Sequence, residues 1–242
     1  ILNRNANHII APSRTVREIL TEKEKVPAGK VSVIPYGQVF ERFSAVTTDT
    51  VIKKRKELGM EKQFSMLCVS RLFPTKGQEY LLDAVAPLFL NGLKAKLYLM
   101  GDGPYRNTLE NKVKELGIGD FVVFLGYRDD LLPIIGASDL VVHPSLEDAL
   151  SQSLIESLMM TKPIVATDIS GAGDTLGDGK YGRLVRPADP NDLRNGIVET
   201  IENLDDANEK AMKGRDHLLK YMSAEKVSKE YEEVYFSLMN EY

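Results

Sequence analysis

The sequence predicts an α/β fold in which a parallel sheet is covered by helices on both faces. From residue 65 onward, short apolar runs alternate with segments of helical periodicity. The helical segments are about 10–15 residues long, a length typical of the helices that connect parallel strands in βαβ units. The chain has 242 residues and is 43% hydrophobic, so it can bury a sizeable core.

The elements of this sheet follow one another in order. Short apolar runs predict strands at residues 64–70, 95–100, 121–125, 140–142, 163–167 and 182–185. Helices are predicted at residues 78–90, 105–116, 129–135 and 151–160, and two more begin at Pro190 and Ala207. In a parallel sheet the ligand lies outside the carboxyl ends of the strands, so the loops that follow strands are the candidate site.

The first 60 residues do not continue this pattern. Apolar runs at residues 8–11 and 31–35 flank a helix capped by Ser13, and a highly charged helix is predicted at residues 53–62. A segment of this size is too small to carry a core of its own. We therefore expect it to contain the remnant of another domain and a linker.

Three domain assignments follow from these patterns. We expect residues 1–45 to be the tail of an N-terminal domain with the interdomain linker, and residues 46–222 to be the main domain. Residues 223–242 are predicted to form a C-terminal helix that packs back toward the N-terminal domain. Its apolar residues recur at helical spacing, at Val227, Tyr231, Val234 and Leu238.

Composition and charge exclude several functions. The net charge is −4, from 31 basic and 35 acidic residues, so a nucleic-acid partner is not expected. No apolar run reaches about 18 residues, so no membrane-spanning helix is predicted. Cys68 is the sole cysteine, which suits a reducing, cytoplasmic compartment, and with three well-separated histidines it offers no metal site. Residues 1–5 do not form a signal peptide and lack an initial Met, so we expect the chain to begin within a longer protein.

The first candidate motif, Ser70–Gly77, follows the first strand of the sheet and leads into a helix. Arg71 and Lys76 place two cations in this loop. A diphosphate suits them, because arginine can bind two oxygens at once and lysine acts as a point charge. The alternative is that both are solvated surface charges.

The second candidate, Gly101–Arg106, superficially matches the start of a dinucleotide-binding fingerprint. Arg106 stands where the third glycine should be, and the loop follows the second strand of the sheet rather than the first. A tight turn with Pro104 at the first helical position explains the segment better than an NAD site.

The third candidate runs from His143 to Glu156 across a strand, a loop and a helix. Asp148 lies in the loop and Glu156 on the helix, with seven residues between them. Glu156 falls among apolar residues, so it needs a hydrogen-bonded partner, and a vicinal diol such as a ribose would satisfy it. The alternative is a capping acid plus an incidental helix charge. A ready phosphate site is expected at the helix start, from the amides of Ser151, Gln152 and Ser153.

Two further features remain open to interpretation. His143 is favoured as a packed histidine at a strand end rather than as a catalyst. A glycine-rich loop, Ser170–Asp174, follows the strand that ends at Thr167. Its glycines permit a close backbone approach, and Asp174 could bind sugar hydroxyls or cap the following turn.

Together these segments resemble the retaining glycosyltransferases of the GT-B fold, specifically family 4, the glycosyl transferases group 1. The resemblance covers about residues 8–240. It is carried by motifs in order: S-R-L-F-P-T-K-G, G-D-G-P, F-L-G-Y, H-P-S-L-E-D with a distal Glu, the glycine-rich loop, and P-A-D-P. The resemblance implies a Rossmann-like, doubly wound parallel sheet, the donor-binding C-terminal half of the enzyme, with a remnant of the N-terminal acceptor domain.

The resemblance also implies roles for individual residues. Arg71 and Lys76 would hold the donor diphosphate and, with Asp148 facing the transferred sugar, would be the catalytic residues. Glu156 would bind the ribose hydroxyls, and Tyr127 would lie beside the base. The remaining donor contacts would come from the helix-end residues Ser151, Gln152 and Ser153.

The sequence departs from the family pattern at three places. Asp148 stands where the family usually has Glu, and it is followed by Ala-Leu-Ser rather than Gly-Phe-Gly. Glu147 is adjacent, but Asp148 alone gives the usual seven-residue gap. Asp174 replaces the usual Glu of the glycine-rich loop, and the linker reads P-Y-G-Q-V instead of P-N-G-V-D.

The implied activity is hexosyl transfer from a nucleotide-diphosphate sugar, UDP- or GDP-linked, with retention and without a metal or other cofactor. The acceptor would be a glycan, a lipid or a small molecule, and this chain alone would turn over poorly or not at all. Localisation would be cytoplasmic, with contact to the inner face of the membrane through the missing domain left open. The alternatives are a GT-B sugar-nucleotide epimerase, a phosphorylase, or a non-catalytic nucleotide-binding or interaction module.

Overall fold

The computed structural model describes residues 6–239, which form eight strands and eleven α-helices. The strands are β1 (Ile9–Ala11), β2 (Val31–Val33), β3 (Phe64–Val69), β4 (Ala95–Met100), β5 (Val122–Gly126), β6 (Leu140–His143), β7 (Ile164–Thr167) and β8 (Arg183–Val185). The helices are α1 (Arg14–Glu18), α2 (Glu41–Ser44), α3 (Thr48–Glu57), α4 (Gln78–Leu90), α5 (Arg106–Glu115), α6 (Leu131–Ala137), α7 (Gln152–Met159), α8 (Ser170–Thr175), α9 (Pro190–Glu202), α10 (Leu204–Tyr221) and α11 (Ala224–Met239).

A six-stranded sheet forms the body of the molecule, in the order β5-β4-β3-β6-β7-β8. Every neighbouring pair in it is parallel. The predicted α/β class is confirmed, and the six predicted strands and the helices between them match the observed ones to within about two residues. The chain builds β3, β4 and β5 outward on one side, then crosses to β6 and continues on the other.

Each face of the sheet buries its own apolar cluster, because successive strand residues point to opposite faces. Met66 and Cys68 lie in the cluster that α4, α5 and α9 cover. Leu67, between them in sequence, lies in the cluster that α6 and α7 cover. The sheet is therefore covered on both faces, which explains its nearly continuous apolar strands.

The N-terminal segment forms a small unit beside the sheet. Its strands β1 and β2 pair in parallel, and Ile9 lies opposite Val31. As expected, Ser13 caps α1, where its side chain accepts a hydrogen bond from the Val16 N–H at 3.2 Å. The helix then continues as a π-helical turn over Ile19–Lys23. This unit buries only a small cluster: Ala11, Leu20, Val26 and Val31.

Three local predictions are wrong. The charged helix predicted at 53–62 is α3, which begins earlier because Thr47 caps it. The helix ends before Gly59, whose φ is +66°. The glycine-rich loop forms a short helix, α8. The predicted tight turn at Pro104 is confirmed, but Pro104 is not the first helical residue, since α5 begins two residues later.

The first turn of the C-terminal helix α11 contacts residues 37–38. Val227 is its buried residue, and it packs against Gly37. The N–H of Ala224 donates to the carbonyl of Gln38 at 3.0 Å. The other predicted apolar positions of this helix are half-buried, and residues 240–242 lie outside the described part of the chain. The domain boundaries and the packing of this helix toward an N-terminal domain stay predictions.

No helix within residues 6–239 combines the length and apolar character needed to cross a membrane. The prediction that residues 1–5 are not part of a signal peptide concerns residues outside the described part.

Candidate functional site

The candidate site lies where the strand order reverses, between β3 and β6. These neighbours run in the same direction, and their following connections lead to opposite sides of the sheet. A crevice at the carboxyl ends of two such strands is where α/β sheets bind ligands. The loops at residues 70–77 and 144–151, which carry the first and third candidate motifs, border this crevice.

The loop after β3 is fixed by two anchors. Leu72 is buried, and its N–H donates to the carbonyl of Asp102 at 2.9 Å. The buried amide of Gln78 donates to the hydroxyl of Ser70 at 2.8 Å and to the carbonyl of Arg71 at 2.9 Å. The backbone that carries Arg71 is therefore held in place, while its side chain is free to reach outward.

The two loops approach each other backbone to backbone at Gly77. Its φ is +67°, and a Cβ atom there would lie 1.9 Å from the carbonyl oxygen of Pro144. Only glycine fits both the left-handed backbone and this contact. The N–H of Leu146 also donates to the carbonyl of Thr75 at 2.8 Å, so the loops form one continuous wall.

Lys76 and Asp148 meet across the crevice, with Nζ and Oδ2 2.9 Å apart. The His143 ring lies 3.5 Å from the same carboxylate oxygen. His143 and then Lys76 lower the pKa of Asp148 to about 2, so it is ionised at neutral pH. Its backbone is held by α8, because its carbonyl accepts hydrogen bonds from Ser170 and Gly171. The helix that replaced the predicted glycine-rich loop thus orients this carboxylate.

His143 is buried at the end of β6, as the sequence indicated. Burial lowers its pKa, which favours the neutral ring. A neutral ring is suited to holding the Asp148 carboxylate in place rather than to carrying charge.

Glu156 lies on α7 with only 4% of its surface exposed. Burial raises its pKa, while the guanidinium of Arg42 opposes that shift. The Nη2 atom of Arg42 lies 2.8 Å from Oε1 of Glu156. The predicted need for a partner is confirmed, and that partner comes from α2.

The start of α7 carries the three predicted helix-end residues. Ser151 is buried, and its hydroxyl lies 3.0 Å from that of Ser153. The side-chain amide of Gln152 donates to that of Gln38 at 3.0 Å. The N–H groups of a first helical turn have no partner within the helix, so they are suited to an anion.

Arg71 and Tyr127 are exposed and are not brought into contact with the other site residues. The Arg71 guanidinium lies 5.1 Å from the centre of the Phe73 ring. Tyr127 is 76% exposed, and its hydrogen bond to Asp129 raises its pKa. Tyr127 and Arg42 line the same cleft of about 390 Å³. The roles predicted for all these side chains depend on a ligand and stay predictions.

Asp174 has a different partner from those considered for it. Its Oδ1 atom lies 2.6 Å from Nε of Arg14, in the N-terminal segment. Arg14 also contacts Asp178 at 2.9 Å. Asp174 therefore connects the segment to the sheet region, rather than capping a turn.

Three side chains that meet the site or its surroundings were not predicted from the sequence: Arg14, Gln38 and Arg42. Each meets its partner from more than 100 residues away, so local spacing carried no signal of the pairing. Among the described residues, no cluster of three or more His, Cys, Asp or Glu side chains could hold a metal. Whether the reaction needs a metal is a separate matter, and its metal independence stays a prediction.

The fold and the crevice place this chain in the class of proteins with the Rossmann-like α/β architecture of the GT-B glycosyltransferases. The family model for glycosyl transferases group 1 matches residues 63–203. The chain belongs to that family, in agreement with the resemblance found in the motifs.

Relatives of this chain include a transferase and a synthase. Alpha-D-kanosaminyltransferase from Streptomyces kanamyceticus is 27% identical over 202 residues, which cover 83% of this chain and 52% of that protein. Alpha-monoglucosyldiacylglycerol synthase from Streptococcus pneumoniae is 28% identical over 232 residues, covering 94% of this chain and 51% of that protein. The chain thus spans about half the length of these curated relatives.

Among solved structures, Anabaena Alr3699/HepE in complex with UDP-glucose is similar to this chain. It superposes with a TM-score of 0.87 at 27% identity, covering 97% of this chain and 65% of that one. The C-terminal domain of a group 1 glycosyl transferase (LpcC) from Francisella tularensis has a TM-score of 0.64 at 19% identity, covering 71% of this chain and 92% of that one. This second likeness concerns the fold alone.

Proposed function

We propose that this chain is the donor-binding part of a retaining glycosyltransferase that uses a nucleotide-diphosphate sugar. The observation that carries the proposal is the contact between Lys76 and Asp148, 2.9 Å apart across the crevice between β3 and β6. It places a cation and an ionised carboxylate side by side where α/β sheets bind nucleotides. The UDP-glucose complex of the similar Anabaena protein supports a UDP-sugar as donor, with a GDP-sugar as the alternative.

Arg71 and Lys76 would bind the donor diphosphate. Charge develops on the leaving diphosphate as the bond from the sugar to its oxygen breaks. Fixed cations, together with the amides at the start of α7, would stabilise that charge without rearranging. We propose that they supply the positive charge for the reaction and that no metal is required.

The two carboxylates would bind hydroxyl groups of the donor. Asp148 is ionised and faces the crevice beside Lys76, so it suits the hydroxyls of the transferred sugar. Glu156 lies farther along, on α7, and suits the vicinal diol of the ribose. Tyr127 would lie beside the base.

Retention would follow a front-face route. The bond from the anomeric carbon to the diphosphate oxygen breaks, and the acceptor oxygen bonds to that carbon on the same face. The acceptor proton passes to the leaving phosphate. This route needs no enzyme nucleophile, and Asp148 then serves to orient the sugar.

The acceptor would be a glycan, a lipid or a small molecule. We propose that this chain alone binds the donor but transfers sugar poorly or not at all, because a further domain supplies most of the acceptor site. A cytoplasmic location, with contact to the inner membrane face through that domain, completes the proposal.

Calorimetric titration of the chain with UDP, GDP and ADP tests the donor role. One of the three is expected to bind. Arg71→Ala and Glu156→Ala should each weaken that binding by about 1–3 kcal/mol, because each removes a charged hydrogen-bonding partner.

Arg186→Ala is the matched control. It removes an arginine at the far edge of the sheet, where the side chain pairs with Asp189 and Asp192, and it should leave binding unchanged. Absence of heat with all three nucleotides would overturn the proposal. Unchanged affinity in both Arg71→Ala and Glu156→Ala would reject the assigned roles.

A further inference from the structure

Two linker side chains contact α7 in matching register. Gln38 meets Gln152, and Arg42 meets Glu156, so the partners are four residues apart on both sides. Residues four apart on a helix share one face. The linker therefore runs along the face of α7 that carries Glu156.

The Arg42 side chain is held from two directions. Its guanidinium carbon lies 4.7 Å from the centre of the Phe43 ring, and Phe43 is itself buried. Its Nη2 atom contacts Oε1 of Glu156. The side chain is nevertheless 44% exposed, against 5% for that of Glu156, so it covers the carboxylate at the cleft that Tyr127 also lines.

Arg42 favours the ionised form of Glu156. Burial favours the protonated carboxyl, and the groups that oppose this are Arg42, from α2, and the uncharged amide of Gln152, on α7 itself. A protonated carboxyl would lose part of its capacity to accept hydrogen bonds. An ionised carboxylate has about four acceptor sites, so its contacts to Arg42 and Gln152 leave it able to accept from two hydroxyl groups.

We propose that Arg42 is a positioning residue of the nucleoside site, holding the Glu156 carboxylate oriented to accept the two ribose hydroxyls of the donor. This inference rests on the proposed function, because it takes the donor to be a nucleotide. It adds that the nucleoside site is built jointly by the sheet region and the linker.

The experiment compares two nucleotides on the same chain. UDP offers both ribose hydroxyls, and 2′,3′-dideoxy-UDP offers neither. Wild type should favour UDP. Arg42→Gln should weaken UDP binding by about 10-fold to 100-fold, with a much smaller effect on the dideoxy compound, because the lost interaction passes through the diol. Arg42→Lys keeps the charge and should recover part of the preference, whereas Arg186→Gln should behave as wild type.

A second measurement does not depend on nucleotide binding. NMR titration of a chain with labelled glutamate carboxyls should show Glu156 titrating at higher pH in Arg42→Gln than in wild type. In agreement with that shift, the loss of UDP affinity should be larger at about pH 6 than at about pH 8.

The outcomes separate the two proposals. If wild type binds UDP and Arg42→Gln keeps both the affinity and the preference for UDP, Arg42 has no positioning role. Equal weakening of UDP and the dideoxy compound also overturns that role, since the effect would not pass through the diol. If wild type binds none of UDP, GDP and ADP, the proposed function fails and this inference fails with it.

Discussion

The sheet region and the N-terminal segment are stabilised in different ways. The sheet buries an extensive apolar cluster on each face, whereas the N-terminal segment, residues 6–45, has a cluster of its own with only four buried residues. Phe43 and Phe40 of the segment pack in one of the sheet clusters. Polar contacts also join the segment to the sheet region: Arg14 to Asp174 and Asp178, Gln38 to Gln152, and Arg42 to Glu156.

The apolar clusters therefore account for the stability of the sheet region, whereas the polar contacts determine the position of the segment. Apolar burial scales with area, so the sheet region can hold itself together. Ion pairs between exposed side chains contribute about 0–1 kcal/mol each, so the pair of Arg14 and Asp178 adds little to cohesion. They are directional, however, and they fix where the segment and linker lie relative to the crevice.

The prediction with the largest expected effect compares one core truncation in each region. Leu82 is fully buried in the sheet region, and Leu20 belongs to the small N-terminal cluster. Leu82→Ala should lower the free energy of unfolding by about 2–5 kcal/mol, because the rigid surroundings leave a cavity. Leu20→Ala should cost about 2 kcal/mol or less, since its smaller surroundings can collapse. Urea unfolding followed by circular dichroism measures both, and equal losses would contradict the comparison.

A pair of glycines tests how tightly the site loops are packed. Gly77 and Gly59 have nearly the same φ, +67° and +66°, but a Cβ at Gly59 meets nothing within 4 Å. Gly59→Ala should therefore cost only the left-handed strain, about 1–2 kcal/mol. Gly77→Ala adds a clash with the Pro144 backbone and should cost more than that while also weakening nucleotide binding. Equal unfolding energies and intact binding would show that the loops can separate freely.

The third test uses one histidine from each region. The pKa of His143 is lowered in the folded state, so the unfolded chain binds more protons as the pH falls below the ordinary histidine value of about 6.5. The contribution of His143 to the free energy of unfolding is present above about pH 6.5 and is lost as the pH falls through the pKa of His143 in the folded state. The contribution of Asp148 to the free energy of unfolding is lost only at much lower pH, as the pH approaches about 2.

The free energy of unfolding of wild type should thus fall between about pH 7.5 and about pH 5.5. In His143→Gln this fall should be smaller by about 1 kcal/mol. His8→Gln is the control, since His8 lies in the N-terminal segment and bonds Ser32. A profile in His143→Gln that is as steep as in wild type would remove His143 as the cause.

The sheet was predictable because its information is local. The alternation of apolar runs with helical periods is a property of neighbouring residues, and it gave α4 with both bounds correct. The first turn of α3 was also within reach, since Thr47 at its start is a typical helix cap.

The glycine-rich helix α8 was not predictable in this way. Glycine opposes helix formation by about 1 kcal/mol, so local propensity indicates a loop. A Cβ at Gly171 would lie 2.8 Å from the Ala149 backbone, and this tertiary contact determines why glycine is there. The choice of Arg42 as partner of Glu156 is similarly non-local, because it depends on the path of the linker.

The smallest expected effect concerns the Arg14 contacts, and it tests whether they place the segment without stabilising the sheet. Arg14 is 58% exposed and bonds Asp174 and Asp178. Arg14→Gln should change the global unfolding energy by less than about 0.5 kcal/mol. It should nevertheless speed hydrogen exchange in the segment, for example at the Ile34 amide that bonds the carbonyl of Ala11, because local opening becomes easier. Arg186→Gln removes another exposed, ion-paired arginine, within the sheet region, and should leave that amide unchanged. If Arg14→Gln instead destabilises the sheet as a whole, the two regions form one cooperative unit, and their polar contacts contribute to its stability as well as to the placement of the segment.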